Sequence, residues 1–413
     1  MAAFIPKLAS DFSRRMREAC LAEPKLVERS PWWDSLALDF ASRPDPFELR
    51  LLDKIPVELT AASDVALRTA GACLVGSLAL PLGYHPLAIR RLLGEAEHYG
   101  AFAEQGDVDR FYVRPPRGVR IERSRAFRPL FRPDDGECED LRFESPFVPT
   151  LPSARASYLS HQKNRFAHAR HWRHATGPRS TVLAIHGFSA DLTHFNEWFF
   201  AIPWLYRSGY DVLLVTLPFH GPRQTRLSPF SGHGFFAGGA GRINEALAQA
   251  VCDLRVLMDD LFDRGVPQVG VTGMSLGGLT CSLLAAAESR LAFAIPNVPV
   301  VSLPDLVLEW EPIGAVVRSA LRLVGRDVRF ARRLLGPASP LTWQPRVARE
   351  RRMIIGGLGD RLAPPRQSRL LWDHWERCRI HWFPGSHVLH LDRGAYFREM
   401  REFLGEVGFR PRT

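Results

Sequence analysis

Lysine is nearly absent from this chain: only Lys7, Lys25, Lys54 and Lys163 occur among its 54 basic residues, so arginine carries the net charge of +10. The arginines run from Arg14 to Arg412 without an aromatic-interleaved basic segment, a zinc-ligand spacing or a clear helix-turn-helix. Specific nucleic-acid binding is therefore not expected, although a mildly basic surface favours anionic membranes or acidic substrates. Cysteine is scarce as well. Cys20, Cys73, Cys138, Cys252, Cys281 and Cys378 are scattered and form no Cys-x-x-Cys pair, which reads as reduced structural residues.

Apolar runs long enough to span a bilayer are also lacking. The most apolar stretch, Ala70 to Tyr84, is interrupted by Gly71, Gly76, Pro81 and Gly83. It is expected to be a buried helix with a proline stop, with shallow docking on a membrane as the alternative. Met1 to Arg15 holds Lys7 but no long apolar core or cleavage-like site, so a cytoplasmic location, membrane-peripheral under that alternative, is expected. The glycine-rich stretch Gly232 to Gly241 has neither Gly-x-Gly-x-x-Gly nor a Walker lysine, and no nucleotide or other cofactor is expected. His168, His171 and His174 lack nearby Cys or carboxylate partners, so no metal site is expected there.

What is present is an ordinary globular composition, with 46% hydrophobic and 24% charged residues in 413. That length suits two or three domains, or one large domain with insertions. Residues 1–135 carry helical spacing at Leu8, Phe12 and Met16, then at Phe47 to Leu52 and Leu87 to Leu93. Pro115-Pro116 and the basic run Arg117 to Arg132 then break the pattern as a linker or surface loop. Beyond it, Leu141 to Phe147 and Arg165 to Trp172 alternate like antiparallel strands, with Pro149 to Ser153 as a turn between them.

Continuous apolar strands follow at Thr181 to Ile185, Asp211 to Leu217, Val269 to Thr272, Leu291 to Ile295, Met353 to Gly356 and Arg379 to Phe383. Helical segments such as Ile243 to Phe262, Gln367 to Trp375 and Tyr396 to Phe403 alternate with them. This order predicts an α/β fold with a mainly parallel sheet covered by helices on both faces, and active residues at the carboxyl ends of strands. Residues 136–413 are expected to form that domain, with a helical cap over about 303–349 and residues 1–135 as an N-terminal helical extension and linker.

Gly273-Met274-Ser275-Leu276-Gly277 joins the strand Val269 to Thr272 to the small-residue helical stretch Leu279 to Ala287. A serine on such a turn is pushed out above the sheet as a nucleophile, and the flanking glycines leave room for close backbone. It needs a base, and the base an orienting acid. Asp360 lies on the loop after Met353 to Gly356, and His387 just beyond Arg379 to Phe383; His390 is a second candidate base. Two N–H donors are needed where negative charge develops, and Phe188, after His186-Gly187, and Leu276 are the candidates. His220 to Arg223 and the 232–241 glycines are pocket-lining candidates or a mobile loop, and His194 and Glu197 surface or pocket-edge groups.

With His186-Gly187, the Gly273 to Gly277 turn, Gly359-Asp360 and Gly385-Ser386-His387 in this order, residues 138–413 resemble the α/β-hydrolase superfamily, esterase- and lipase-like. The resemblance implies a Ser275–Asp360–His387 triad and an acyl-enzyme mechanism; the N-terminal extension departs from the minimal fold. The expected activity is hydrolysis of a carboxylic ester, on a small-molecule acyl ester or a lipid, without metal or cofactor. The alternatives are a membrane-surface lipase or lysophospholipase with peripheral contact through 70–84, a thioesterase, and a noncatalytic binding protein on the same scaffold.

Overall fold

The computed structural model describes residues 4–22, 31–45, 47–78 and 86–411, and side chains over 11–21, 31–45, 47–73 and 91–411. Nine strands form one sheet: β1 (Glu122–Arg125), β2 (Gly136–Glu144), β3 (Phe166–His174), β4 (Thr181–Ile185), β5 (Asp211–Thr216), β6 (Val269–Met274), β7 (Leu291–Asn297), β8 (Met353–Gly357) and β9 (Arg379–Phe383). Their order is β1-β2-β3-β5-β4-β6-β7-β8-β9. The first three pairings, β1 with β2, β2 with β3 and β3 with β5, are antiparallel, and the rest are parallel. Strands β4, β6, β7 and β8 are buried along their whole length, as continuous Val, Ile, Leu and Ala runs require when helices cover both faces.

The covering helices include Ala240–Asp263 and Leu276–Ala287 on one side and Arg393–Glu406 on the other, which divides the core into two layers. Leu247, Val251, Leu254, Leu257 and Leu261 recur at three- and four-residue spacing and point into the larger layer. Phe293, Phe383, Tyr396, Phe403 and Phe409 fill the smaller one. Among the described residues, no helix is long and apolar enough to cross a membrane.

Two local expectations changed. The basic run Arg117 to Arg132 is not loop throughout, because Glu122–Arg125 pairs antiparallel with β2. Charged side chains stand on both faces of this edge strand, a position where charge is tolerated and discourages further pairing. Pro149 to Ser153 leads into a helix, Pro152–Leu159, whose proline sits where no helical N–H is needed. The segment from Leu303 to Arg349 holds helices Leu303–Glu309, Ile313–Leu323 and Val328–Leu334 with short 3₁₀ turns. Of Ala70 to Tyr84, the part to Leu78 ends a 28-residue helix, Leu51–Leu78, while 79–85 lie outside the described residues.

The N-terminal segments are built into the sheet domain. Helix Phe4–Ala22 lies against β9, and Ser13 Oγ accepts the Trp382 N–H at 3.0 Å, occupying an amide of the edge strand. Arg332, on Val328–Leu334, is fully buried and donates to Asp305 at 2.9 and 2.6 Å, to the Leu36 carbonyl at 2.6 Å and to the Ala37 carbonyl at 2.8 Å. One guanidinium thereby ties helices Leu303–Glu309 and Val328–Leu334 to the N-terminal segment.

Candidate functional site

Ser275 stands at the end of β6 with φ 56° and ψ −114°, a backbone conformation rare for a side chain with a Cβ and worth about 1–3 kcal/mol of strain. The surroundings hold it there. Its N–H donates to the Asn297 carbonyl at the end of β7, and its carbonyl accepts from Leu279 N–H, each at 2.9 Å. A Cβ at Gly273 would collide with the Gly277 carbonyl, and one at Gly277 with the carbonyls of Ile185 and His186. Glycine at both positions is thus a steric requirement of the turn. Ser275 itself is half-buried.

Asp360 follows β8 and is fully buried. Its Oδ1 accepts the N–H groups of Leu362 at 2.9 Å and Ala363 at 2.6 Å, while Oδ2 lies 2.6 Å from His387 Nδ1. Those two amides orient the carboxylate, and the carboxylate in turn fixes Nδ1 as the protonated nitrogen, leaving Nε2 as the basic one. The loops that carry the two groups are bonded to each other: Leu358 N–H donates to Phe383 O at 3.1 Å and Gly359 N–H to Gly385 O at 2.8 Å. His390 faces elsewhere, its Nε2 donating to the His387 carbonyl at 3.0 Å. Asp360 and His387 are therefore in contact, whereas neither hydrogen-bonds the Ser275 hydroxyl in this structure.

The loop after β4 passes beside the serine. A Cβ on Gly187 would lie 3.4 Å from the Ser275 Cβ. His186 Nδ1 lies 2.7 Å from the Gly187 carbonyl and its Nε2 accepts the Leu217 N–H at 3.0 Å, which assigns the proton to Nδ1 and locks the peptide that leads into Phe188. Among the described residues, neither the Phe188 N–H nor the Leu276 N–H has a hydrogen-bond acceptor in the protein. His220, fully buried, meets the Phe188 ring edge-on at 5.6 Å and supports this loop from behind. Arg223 is structural: it is buried and bonded to Asp253 at 2.8 Å. Glu197 is buried too, accepting the Leu130 and Phe131 N–H groups, while His194 is exposed.

One carboxylate escaped the sequence reading. Asp64, on helix Leu51–Leu78, is 1% exposed and its Oδ2 accepts the His387 N–H at 2.7 Å and the Arg361 N–H at 3.0 Å. It thus bonds the backbone of the histidine and of the residue after Asp360. Thr60 and Arg68 flank it at four-residue spacing, and Arg68 donates to the Arg361 carbonyl at 3.1 Å. A Cβ on Gly359 would lie 2.9 Å from Thr60 Oγ1. Thr60, Asp64 and Arg68 form a polar i, i+4, i+8 line, but the same helix also carries Asp53, Lys54, Glu58 and Ser63, so the sequence alone does not single that line out.

Burial works to lower the His387 pKa, but the negative charge and hydrogen bond of Asp360, with the charge of Asp64, outweigh it and hold the ring above its ordinary value. Among the described residues, no group of three or more His, Cys, Asp or Glu side chains is placed to hold a metal ion. The arrangement is chemically suited to removing a proton from a hydroxyl held above the sheet and to binding an oxyanion between two amides.

No family model matches the chain. It is 31% identical over 323 residues to the uncharacterized protein Rv2627c of Mycobacterium tuberculosis strain H37Rv, covering 73% of this chain and 72% of that one, and equally to the uncharacterized protein MT2702 of strain CDC 1551. Among solved structures, it is similar to the acetyl xylan esterase from Paenibacillus sp. R4, with a TM-score of 0.54 and 14% identity over 75% of this chain and 94% of that one. Acetyl xylan esterase 1 from Thermoanaerobacterium sp. JW/SL YS485 gives 0.51 and 17%, over 76% and 93%. At such identities the likeness establishes the fold. The chain belongs to the family of these mycobacterial proteins, and its fold is an α/β-hydrolase fold.

Proposed function

We propose that the protein is a serine hydrolase that cleaves a carboxylic ester through an acyl-enzyme. The observation that carries this reading is the buried Asp360–His387 contact, 2.6 Å long, beyond the ends of β8 and β9 at the same edge of the parallel sheet as the strained Ser275 turn. The fold's likeness to two acetyl xylan esterases agrees with ester chemistry.

In the reaction, the substrate's acyl carbonyl enters between Ser275 and the Phe188 and Leu276 amides. His387 Nε2 takes the hydroxyl proton as Ser275 Oγ bonds to the carbonyl carbon, and the two N–H groups hold the resulting oxyanion. The tetrahedral intermediate collapses, and the alkoxide leaves with the proton from His387. Water, deprotonated by the same nitrogen, then attacks the acyl-serine and releases the acid and free Ser275. The first step requires the serine hydroxyl to come within hydrogen-bond reach of Nε2, a contact that commonly tightens only when substrate is bound. Asp360 keeps Nε2 unprotonated at the start and stabilises the imidazolium that forms.

The test is labelling with a fluorophosphonate probe in the wild type and in Ser275→Ala, followed by hydrolysis of a panel of esters of increasing acyl length. Labelling confined to the wild type is the expected result. Equal labelling of both proteins would remove Ser275 from the mechanism, and no labelling of the folded wild type would favour a noncatalytic scaffold.

A further inference from the structure

Helix Leu51–Leu78 is built with its polarity reversed. The line Thr60, Asp64, Arg68 faces inward onto the loops of Asp360 and His387. The opposite face, exposed, carries Leu52, Ile55, Leu59, Ala62, Ala66 and Ala70 at three- and four-residue intervals. Leu52 is 82% exposed, Leu59 72% and Ile55 52%. A water-facing helix normally turns such a stripe toward the core, so a row of bare leucines marks a surface that something else covers.

The neighbouring helix, Ile313–Leu323, packs beside it and carries a second exposed apolar stripe, Val316, Ala320 and Leu323, the last 85% exposed. Unpaired charge at the edge of this surface is predominantly positive. Arg50, Lys54, Arg322 and Arg326 are exposed and make no ion pair among the described residues. The acidic neighbours Asp53, Glu311 and Asp327 are each taken by an arginine, Arg15, Arg318 and Arg329, leaving Glu48 and Glu58 as exposed carboxylates without a cation among the described residues. Apolar side chains with unpaired cations beside them suit an interface where hydrocarbon and anionic headgroups meet. A second copy on the same face would press the four cations against their equivalents, which disfavours self-association there.

We propose that the outer face of helix Leu51–Leu78, together with the Val316 to Leu323 stripe, docks on a lipid bilayer bearing anionic headgroups, and that the site on the inner face of that helix takes its acyl ester from the bilayer. The origin of the substrate rests on the serine hydrolase reading; the docking does not.

The experiment is co-sedimentation of the full chain with phosphatidylcholine vesicles, with and without phosphatidylglycerol, at low and high salt. The expected result is binding to the anionic vesicles that weakens with salt, falls by roughly tenfold or more in Leu52→Ser/Ile55→Ser/Leu59→Ser, and falls for the anionic vesicles alone in Arg322→Gln/Arg326→Gln. These side chains lie outside the core, so circular dichroism and probe labelling of Ser275 should match the wild type. Wild type left in the supernatant with both vesicles would overturn the docking. So would a triple variant that binds as well, or sedimentation velocity showing a wild-type dimer that the triple variant converts to monomer. Vesicle binding by a wild type that no fluorophosphonate labels would sink the hydrolase reading and leave the docking standing.

Discussion

Replacing Asp64 separates two ways in which the N-terminal helix acts on the candidate site. Its carboxylate accepts two backbone N–H groups, from His387 at 2.7 Å and Arg361 at 3.0 Å, and it is buried without an ion pair among the described residues. Hydrogen bonds to a charged group contribute about 1.5–3 kcal/mol each, and ionised acceptors bind roughly twice as strongly as neutral ones. Asp64→Asn keeps the shape and an accepting oxygen, so it should cost about 1 kcal/mol per bond, or about 2 in all. Asp64→Ala leaves both amides buried and unsatisfied, at about 1–3 kcal/mol each, and frees the loops of both Asp360 and His387 to move.

The two variants should also differ in activity. A base displaced by about 1 Å loses on the order of 100-fold, so Asp64→Ala should lower kcat by roughly 10- to 100-fold with a smaller change in KM. Asp64→Asn chiefly removes a negative charge that raises the His387 pKa. His387 must be neutral to accept the serine proton, so activity rises as pH climbs through its raised pKa, and removing the charge should move that acid limb to lower pH. The assay is kcat and kcat/KM on a soluble aryl ester across pH 5 to 9, with thermal melts alongside. A scaffold role alone would lower the melting temperature and leave the limb where it was. An unmoved limb in Asp64→Asn, together with kcat within about threefold of wild type in folded Asp64→Ala, would refute the reasoning.

Two further outcomes follow from buried charge and buried imidazole. Arg332→Ala strands the fully buried Asp305 without its cation and should destabilise the protein by about 3–5 kcal/mol in urea unfolding, whereas Arg332→Met/Asp305→Leu should recover much of that; a single-variant loss under about 1 kcal/mol would count against the tie. His171 and His390 are held neutral by burial, their pKa values lowered to about 4 and about 3. The unfolded chain takes up those protons near pH 6.5, so stability should fall by about 1.4 kcal/mol per pH unit for each ring as pH drops from about 6.5 toward 4. His387, raised rather than lowered, is protonated in both states below that range; its own stabilisation is present there and is lost as pH rises through its folded pKa. Melting temperatures flat between pH 6.5 and 4.5 would contradict the pair of neutral rings.

The sheet was legible because its central strands are buried on both faces, and burial on both faces demands uninterrupted apolar runs such as Val182 to Ile185. Edge elements obey no such demand. Glu122–Arg125 reads as a basic loop because an edge strand is free to carry charge on both faces. Helix Thr193–Phe199 was hidden for a different reason: its seven residues are too few for periodicity to show, and packing of Phe199 against the core, not propensity, holds it. The Asp360–His387 contact could be anticipated from topology, since successive parallel strands must end side by side. The tautomer of His186 could not, because it depends on Leu217, which the chain brings back only at the end of β5.

Asp64 lay beyond the sequence for the same physical reason that makes it informative. Hydrophobic pattern assigns the inside of a helix to its apolar stripe, and by that rule Leu52, Ile55 and Leu59 would face inward and Asp64 water. The fold does the opposite at these positions: Val57 and Ala61 are buried, but beside them the inner face meets two loops that present backbone N–H and C=O groups, and those require polar partners. Satisfying the loops inward leaves the leucines outward. The clamp on His387 and the exposed apolar face are thus two consequences of one helix orientation, and a change that rotates or displaces the helix must act on both. The expected consequence of the proposed docking is that it acts on the alignment of the base through this helix, so vesicle binding should alter the pH profile of the wild type more than that of Asp64→Asn. Identical vesicle-induced shifts in the two proteins would show that the helix does not carry the coupling.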